Sequence, residues 1–218
     1  MSRQGNNGRC AVIVLLAWVV SAALPGCRDH RDEPGAGSSL PEAIAARHAA
    51  DMVHAALAAD REVYTSEVVQ RLTIQQKVQV INPEGGAPGP LEAREDWRSE
   101  HGKLPLPAQM FRMGAEKVLQ NDIGFSYLLL SPWPINQQNR ARTDAERLGL
   151  DKVATTGENL YTTEDLDGKR YFVAIYPDRA VSEACIRCHN KHPDSSRRDF
   201  KVGDVMGGLV IRFRMGGG

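Results

Sequence analysis

Three residues have types and a spacing that suit the binding of a prosthetic group. They are Cys185, Cys188 and His189, in the run Cys-Ile-Arg-Cys-His. Two thiols separated by two residues and followed directly by an imidazole match the attachment sequence of a c-type haem. Each thiol can add across one vinyl group of the porphyrin, and the imidazole can bind the iron as the proximal ligand. The sequence therefore predicts one covalent haem c, held by Cys185 and Cys188 and ligated by His189.

Two other uses of a Cys-x-x-Cys pair, a zinc site and a redox-active dithiol, lack their usual context. A zinc ribbon needs a second pair of ligands, and a thioredoxin-like motif needs a βαβ unit around it. The other two cysteines are Cys10 and Cys27, which both lie in the N-terminal region. If that region is a leader with a lipidated end, no thiol remains for a disulfide, a nucleophile or another metal.

Residues 1–26 have the pattern of a bacterial lipoprotein signal peptide. Arg3 and Arg9 precede an apolar run, residues 11–23, that is too short to span a bilayer. The run ends in Leu-Pro-Gly-Cys, which resembles the lipobox, whose cysteine is acylated; an ordinary signal peptide with a cysteine nearby is the alternative. Two acyl chains hold a protein on a membrane. We therefore expect Cys27 to anchor the chain on the periplasmic side, with the outer membrane as the expected location.

The rest of the chain divides into a tether and one domain. Residues 27–41 combine the lipidated cysteine with a polar stretch rich in Gly, Pro and Ser, which indicates a flexible linker. Residues 42–215 then have the length of a single domain. Lys and Arg number 27, as do Asp and Glu, so the chain has no basic excess that nucleic-acid binding would require. The expected partners are the membrane and a redox or signalling protein.

The order of the local patterns predicts an α+β fold, with a mainly antiparallel sheet, a long N-terminal helix and further helices packed on it. Apolar residues at steps of three and four indicate the long helix over residues 42–72. Asp167-Gly168 indicates a hairpin turn between two strands. Asp178 is placed to cap a short helix that carries the haem motif. The other predicted elements are a helix at 108–119, a strand at 124–131, a short helix after Thr143, strands at 159–163 and 170–176, and a final strand at 205–215.

His54 is the one histidine that helical periodicity places on the inward stripe of the long helix, so it is the predicted sixth ligand of the iron. The alternative for His54 is a hydrogen-bonded core residue. Met113 and Met110 are the next candidate ligands, although both also suit a role as flexible core side chains. Arg197 and Arg198 follow the motif and could pair with the haem propionates, unless that segment is a solvated basic loop.

Two consecutive runs, residues 184–195 and 199–208, resemble a bacterial family of secreted c-type haem domains that was first catalogued as a domain of unknown function. Shorter runs at 61–65, 104–108 and 130–136 are similar to it as well, so the resemblance covers about residues 42–215. The resemblance implies a PAS-like fold with one haem and with His189 as one axial ligand. In a characterised member, a cysteine from the N-terminal helix is the second ligand. This chain has no cysteine between Cys27 and Cys185, so here the distal side holds another residue or is open.

These observations favour a membrane-anchored periplasmic protein with one haem c, acting in redox or ligand sensing. A dedicated electron carrier of a respiratory chain is the alternative. A haem enzyme such as a peroxidase would need a distal acid-base group, which His54 and Arg61 could supply from one helix stripe. The sequence assigns no catalytic residue. It contains no fused kinase, cyclase or DNA-binding segment, so a signal would pass to a separate partner.

Overall fold

The computed structural model describes residues 39–216 of the 218-residue chain. The predicted signal peptide, Cys27 and most of the predicted tether lie outside this range. Within it, no helix is both long enough and apolar enough to cross a membrane.

The described chain contains four α-helices and a π-helical segment. The helices are α1 Ser39–Val63, α2 Pro107–Gln120, α3 Asp144–Thr156 and α4 Glu183–Lys191, and the π-helical segment, Tyr64–Gln75, continues α1 without a break. The predicted long N-terminal helix is therefore present as one continuous helix, but its second part is π-helical instead of α-helical. In the second half, the hydroxyls of Thr65 and Thr73 donate to the carbonyl oxygens of Arg61 and Val69 at 2.7 and 2.6 Å. Such side-chain bonds compete with regular helix hydrogen bonds.

The main sheet has four strands, β5 Phe125–Leu130, β6 Leu160–Leu166, β7 Lys169–Arg179 and β8 Val205–Arg214, all antiparallel in the order β5-β8-β7-β6. Four two-residue strands form two small pairs: β1 Gln79–Val80 with β2 Gly89–Pro90, and, in parallel, β3 Glu92–Ala93 with β4 Lys103–Leu104. The sheet with helices packed on it is the α+β arrangement that the sequence predicted.

Side chains of β7 alternate between the two faces of the sheet, and each face has its own core. Phe172, Ala174 and Tyr176 pack with Ala50 of α1 and with Phe111 of α2. Val173 and Ile175 face the other way and pack with Leu150 and Val153 of α3. Asp178 follows Tyr176 by two residues, so it lies on the α1 side of the sheet. This parity places a carboxylate next to the end of α1.

Two local predictions are confirmed. Asp167 and Gly168 both have positive φ, 51° and 72°, in the turn that joins β6 to β7. Thr143 and Glu146 form the predicted capping box, in which Glu146 N donates to Thr143 Oγ1 and Thr143 N donates to Glu146 Oε2, each at 3.1 Å. These features depend on neighbouring residues alone.

The predicted end of β7 and the predicted cap of the haem helix are wrong. We expected the strand to end at residue 176 and Asp178 to cap the helix with the haem motif, but β7 continues to Arg179 and α4 begins at Glu183. The pairing of β7 with β6 reaches no further than Ile175, which lies opposite Leu160, the first residue of β6. Pro177 therefore pairs with β8 alone, and a proline is tolerated where the sheet has an edge. Asp178 is therefore a strand residue and is free to bind elsewhere.

Candidate haem site

Helix α4 presents the three residues of the motif on one side. Cys185, Cys188 and His189 stand at positions i, i+3 and i+4, which share a face of an α-helix. Both cysteines are free thiols and are partly buried. Burial raises the pKa of Cys188, and the charge of Glu95 and the neighbouring Cys185 add to the effect.

This face of α4 borders a cavity of about 670 Å³. The volume falls in the range of roughly 300–1,000 Å³ that is usual for small-molecule and cofactor sites. The walls come from the π-helical segment, the start of α2, the end of β5, the loop after it, β7, α4 and the start of β8. All three motif residues line it. The fold therefore supplies a space of suitable size against the predicted attachment residues.

Gly207 allows β8 to lie close to the backbone of β5 beside this cavity. A Cβ atom on Gly207 would lie at van der Waals overlap with the carbonyl oxygen of Leu130 on β5, a backbone atom that cannot move aside. Gly208 would meet the side chains of Leu150 and Ile175 in the same way. The two glycines serve close packing of the sheet, and Gly207 also forms part of the cavity wall.

The surroundings of His189 favour the neutral form of its imidazole. Burial lowers its pKa, and the nearby charges of His192 and Arg61 lower it further. Its Nδ1 atom is buried and has no hydrogen-bond partner. The ring stands edge-on to the ring of Phe200, with centroids 5.7 Å apart. A neutral imidazole that lines a cavity and lacks polar partners has the chemistry of a metal ligand.

Arg61 and Asp178 form a buried ion pair in the same cavity. Arg61 Nη1 and Nη2 donate to Asp178 Oδ1 and Oδ2 at 2.9 and 3.0 Å, and the two side chains are only 12% and 13% exposed. Burial raises the pKa of Asp178, while the charge of Arg61 opposes that rise. Arg61 Nε is buried without a partner, which costs about 1–3 kcal/mol when nothing fills the space beside it.

Arg61 Nε and His189 Nδ1 are the two buried side-chain polar atoms without a hydrogen bond in the described part of the chain. Both belong to residues that line the cavity. Buried polar atoms are almost always paired, so two such atoms at one cavity indicate a missing ligand. Together with the thiol pair and the cavity volume, they show that the residues present fit a covalent haem.

Another polar contact lies at the mouth of the cavity. His192 Nε2 is 3.2 Å from Glu95 Oε1, and His192 Nδ1 accepts from the backbone of Asp194 at 3.1 Å. His192 and Glu95 both line the cavity. The pair joins the segment after α4 to the segment after β3. Glu95 was not a sequence candidate, because nothing near it in the chain resembles a motif.

The structure does not bring His54 to the cavity lining. Its ring stacks on Tyr176 with centroids 3.9 Å apart and the planes 5° apart, and burial lowers the pKa of His54 although the charge of Asp51 opposes this. The assignment of His54 as sixth ligand stays a prediction from the sequence, whereas the stack on Tyr176 favours the alternative, a packed core residue.

The alternative ligands and the predicted propionate partners also lie away from the cavity lining. Met113 Sδ accepts from Arg98 Nη2 at 3.3 Å, and Met110 does not line the cavity. Arg197 lies over the rings of Trp133 and Phe200, and Arg198 donates to the carbonyl oxygens of Ser195 and Pro193. Met206 is the methionine that does line the cavity, and it belongs to a small core cluster against which Cys185 packs; no sequence pattern singled it out as a ligand.

A sequence model of the Tll0287-like family matches residues 42–214. The chain belongs to the Tll0287-like family. The match spans all the elements that build the cavity, from α1 to β8. In the described residues, no group of three or more His, Cys, Asp or Glu side chains could hold a metal ion by itself.

A solved structure of a protein that carries the family's name is also similar to this chain. The crystal structure of the cyanobacterial haem protein Tll0287 is 14% identical, covers 52% of this chain and 74% of its own, and superposes with a TM-score of 0.40. No curated protein matches the chain.

Proposed function

We propose that this protein carries one haem c, bound through thioethers at Cys185 and Cys188 and ligated by His189, in a PAS-like domain that senses redox state or a ligand. The observation that carries this proposal is the convergence of the three motif residues on one cavity of about 670 Å³. The haem would supply the redox-active iron. The chain would supply the attachment residues, a neutral imidazole and the cavity that they line.

A sensor role is supported by how the cavity connects to the N-terminal helix. Arg61 stands near the end of α1, and the π-helical segment that follows contributes Val69, Thr73 and Ile74 to the wall. π-Helical stretches are rare and occur mostly at functional sites. A change at the iron would therefore act on the same continuous helix that begins at Ser39. The predicted tether and Cys27 precede that helix, which would place its start nearest the membrane.

An electron-carrier role has its own supporting observation. Cys185 and Cys188 are both partly exposed, so the haem edge that they hold would come close to the surface. An exposed edge suits electron exchange with a partner protein. A peroxidase-like site has less support, because Arg61 lines the cavity whereas His54 does not.

The proposal is tested on protein matured with a c-type haem assembly system. We expect mass spectrometry of the denatured protein to show one added haem and Cys185→Ala/Cys188→Ala to show none. Retention of haem by the double variant, or its extraction from the wild type by acid-acetone, would contradict covalent attachment. Spectra of the reduced protein with and without carbon monoxide then separate the roles: ready binding favours ligand sensing, and indifference favours electron transfer or redox sensing.

A further inference from the structure

Arg61 differs from the other arginines that line the cavity. Arg94 is 53% exposed and is paired with Asp96 at 3.1 Å, Arg112 is 34% exposed and donates to Gln138 at 2.6 Å, and Arg187 is exposed. Arg61 is 12% exposed and is held by Asp178 from a position 117 residues away in the chain. A buried, fixed guanidinium in a cavity is a recognition group for anions.

Asp178 occupies only one edge of the guanidinium. The carboxylate takes Nη1 and Nη2, and Nε is left buried without a partner. Because the guanidinium is planar with five donors in a fixed fork, the edge formed by Nε and Nη2 remains able to donate to a second acceptor. The ion pair with Asp178 orients this second edge rather than using it up.

We propose that the Nε edge of Arg61 is an anion-binding site inside the cavity, and that it receives an anionic oxygen or nitrogen acceptor. The inference rests on the proposed function, since the acceptor has two possible sources in the haem-loaded protein. One is a carboxylate of the haem itself, and the other is a small free anion bound at the iron. Asp178 is a positioning residue in either case, and its negative charge limits how strongly the site attracts the anion.

The charges of Arg61 and Asp178 affect the affinity for an anion in opposite directions. Removing the charge of Asp178 leaves the positive charge of Arg61 uncompensated and strengthens anion binding. Removing both charges together weakens it. A purely structural ion pair would instead lose stability in both variants and leave anion affinity unchanged.

The experiment uses the haem-loaded protein in three forms, wild type, Asp178→Asn and Arg61→Gln/Asp178→Asn. The double variant avoids a buried unpaired carboxylate, so it keeps its fold when Arg61→Gln alone fails to. Azide binding to the ferric protein is followed by absorption. A charged hydrogen bond corresponds to roughly a 10- to 100-fold change in affinity, so we expect weaker binding of that size in the double variant and tighter binding in Asp178→Asn.

If the acceptor is a haem carboxylate, azide affinity stays constant in all three forms, or no form binds azide. The midpoint potential then rises in Asp178→Asn, because loss of that carboxylate leaves the positive charge of Arg61 uncompensated and destabilises the ferric haem, and the propionate bands in the vibrational spectrum shift in the double variant. Arg147→Gln, an exposed arginine that pairs with Asp144 and does not line the cavity, is the control and leaves azide affinity unchanged.

Unchanged azide affinity combined with an unchanged potential and unchanged propionate bands would overturn the inference while the haem stays bound. Loss of haem from the wild type would instead overturn the proposed function. The two failures are therefore distinguished by the mass and absorption of the starting material.

Discussion

Asn190 is paired with the backbone of Phe200 in both directions. Its Nδ2 donates to the carbonyl oxygen of Phe200 at 2.9 Å, and its Oδ1 accepts from the amide of Phe200 at 3.0 Å. The ring of Phe200 stands edge-on to His189, the residue before Asn190 in the chain. The residue next to the predicted iron ligand thus fixes the aromatic wall against which that ligand rests.

Asn190→Ala is expected to destabilise this wall without preventing haem attachment. Two partly buried backbone groups of Phe200 lose their partners, so the free energy of unfolding should fall by about 1–3 kcal/mol. Denaturant unfolding of the haem-loaded protein measures the loss. Asn159→Ala is the control, since Asn159 is exposed and makes only a 3.4 Å contact to Tyr161. Equal midpoints for Asn190→Ala and the wild type would contradict the assigned role.

His54→Ala separates the predicted iron ligand from a packing residue. The stack on Tyr176 indicates packing, so we expect an unchanged absorption and electron paramagnetic resonance spectrum, with a loss of about 1 kcal/mol in unfolding free energy. Loss of a low-spin signal, restored by added imidazole, would instead establish His54 as the sixth ligand. His48→Ala, an exposed histidine of the same helix, is the matched control.

Arg212 joins α3, β6 and β8 through two buried ion pairs. It lies 2.6 Å from Glu146 and 2.6 Å from Glu164, and all three side chains are at most 9% exposed. Arg212→Ala leaves two buried carboxylates unpaired, which should lower the unfolding free energy by about 3–5 kcal/mol. Arg147→Ala breaks an exposed pair with Asp144 and should cost less than about 1 kcal/mol. Similar losses in the two variants would show that burial does not govern these pairs.

Asp51 makes stability depend on pH at the acid end. Burial raises its pKa, but hydrogen bonds from Tyr161 and Tyr176, each 2.7 Å long, outweigh that effect and hold the pKa below its usual value. The stabilisation is therefore complete above the unfolded-state pKa of about 3.9 and disappears as pH falls through the lower folded-state value. The stability gap between wild type and Asp51→Asn should narrow below about pH 4 in urea titrations. A gap that stays constant down to pH 3 would contradict this.

Cys27→Ser tests the predicted membrane anchor, which lies outside the described residues. We expect the wild type to sediment with membranes and to incorporate labelled fatty acid. The variant should lose the label and either appear in the soluble fraction or remain unprocessed, because a serine cannot form the thioether that carries the lipid. A wild type that is fully soluble would show that the lipobox interpretation is wrong.

Several features followed from short stretches of sequence because their physics is local. The spacing of Cys185, Cys188 and His189 places them on one helix face whatever surrounds the helix. The Thr143 capping box and the Asp167-Gly168 turn depend on residues three positions apart or fewer. Alternating and helical patterns were enough for the α+β class, since each pattern reports which side of its own element is buried.

The surroundings of the site depended on tertiary structure. Asp178 was expected to cap a helix, and the alternation of β7 instead directs it toward Arg61, 117 residues earlier. His54 occupies an inward stripe as predicted, but the stripe alone does not say that Tyr176 lies under it. Arg197 is close to the motif in sequence and packs on Trp133 instead of lining the cavity. Periodicity tells which side of an element faces inward, whereas the partner on that side is decided by how distant elements cross.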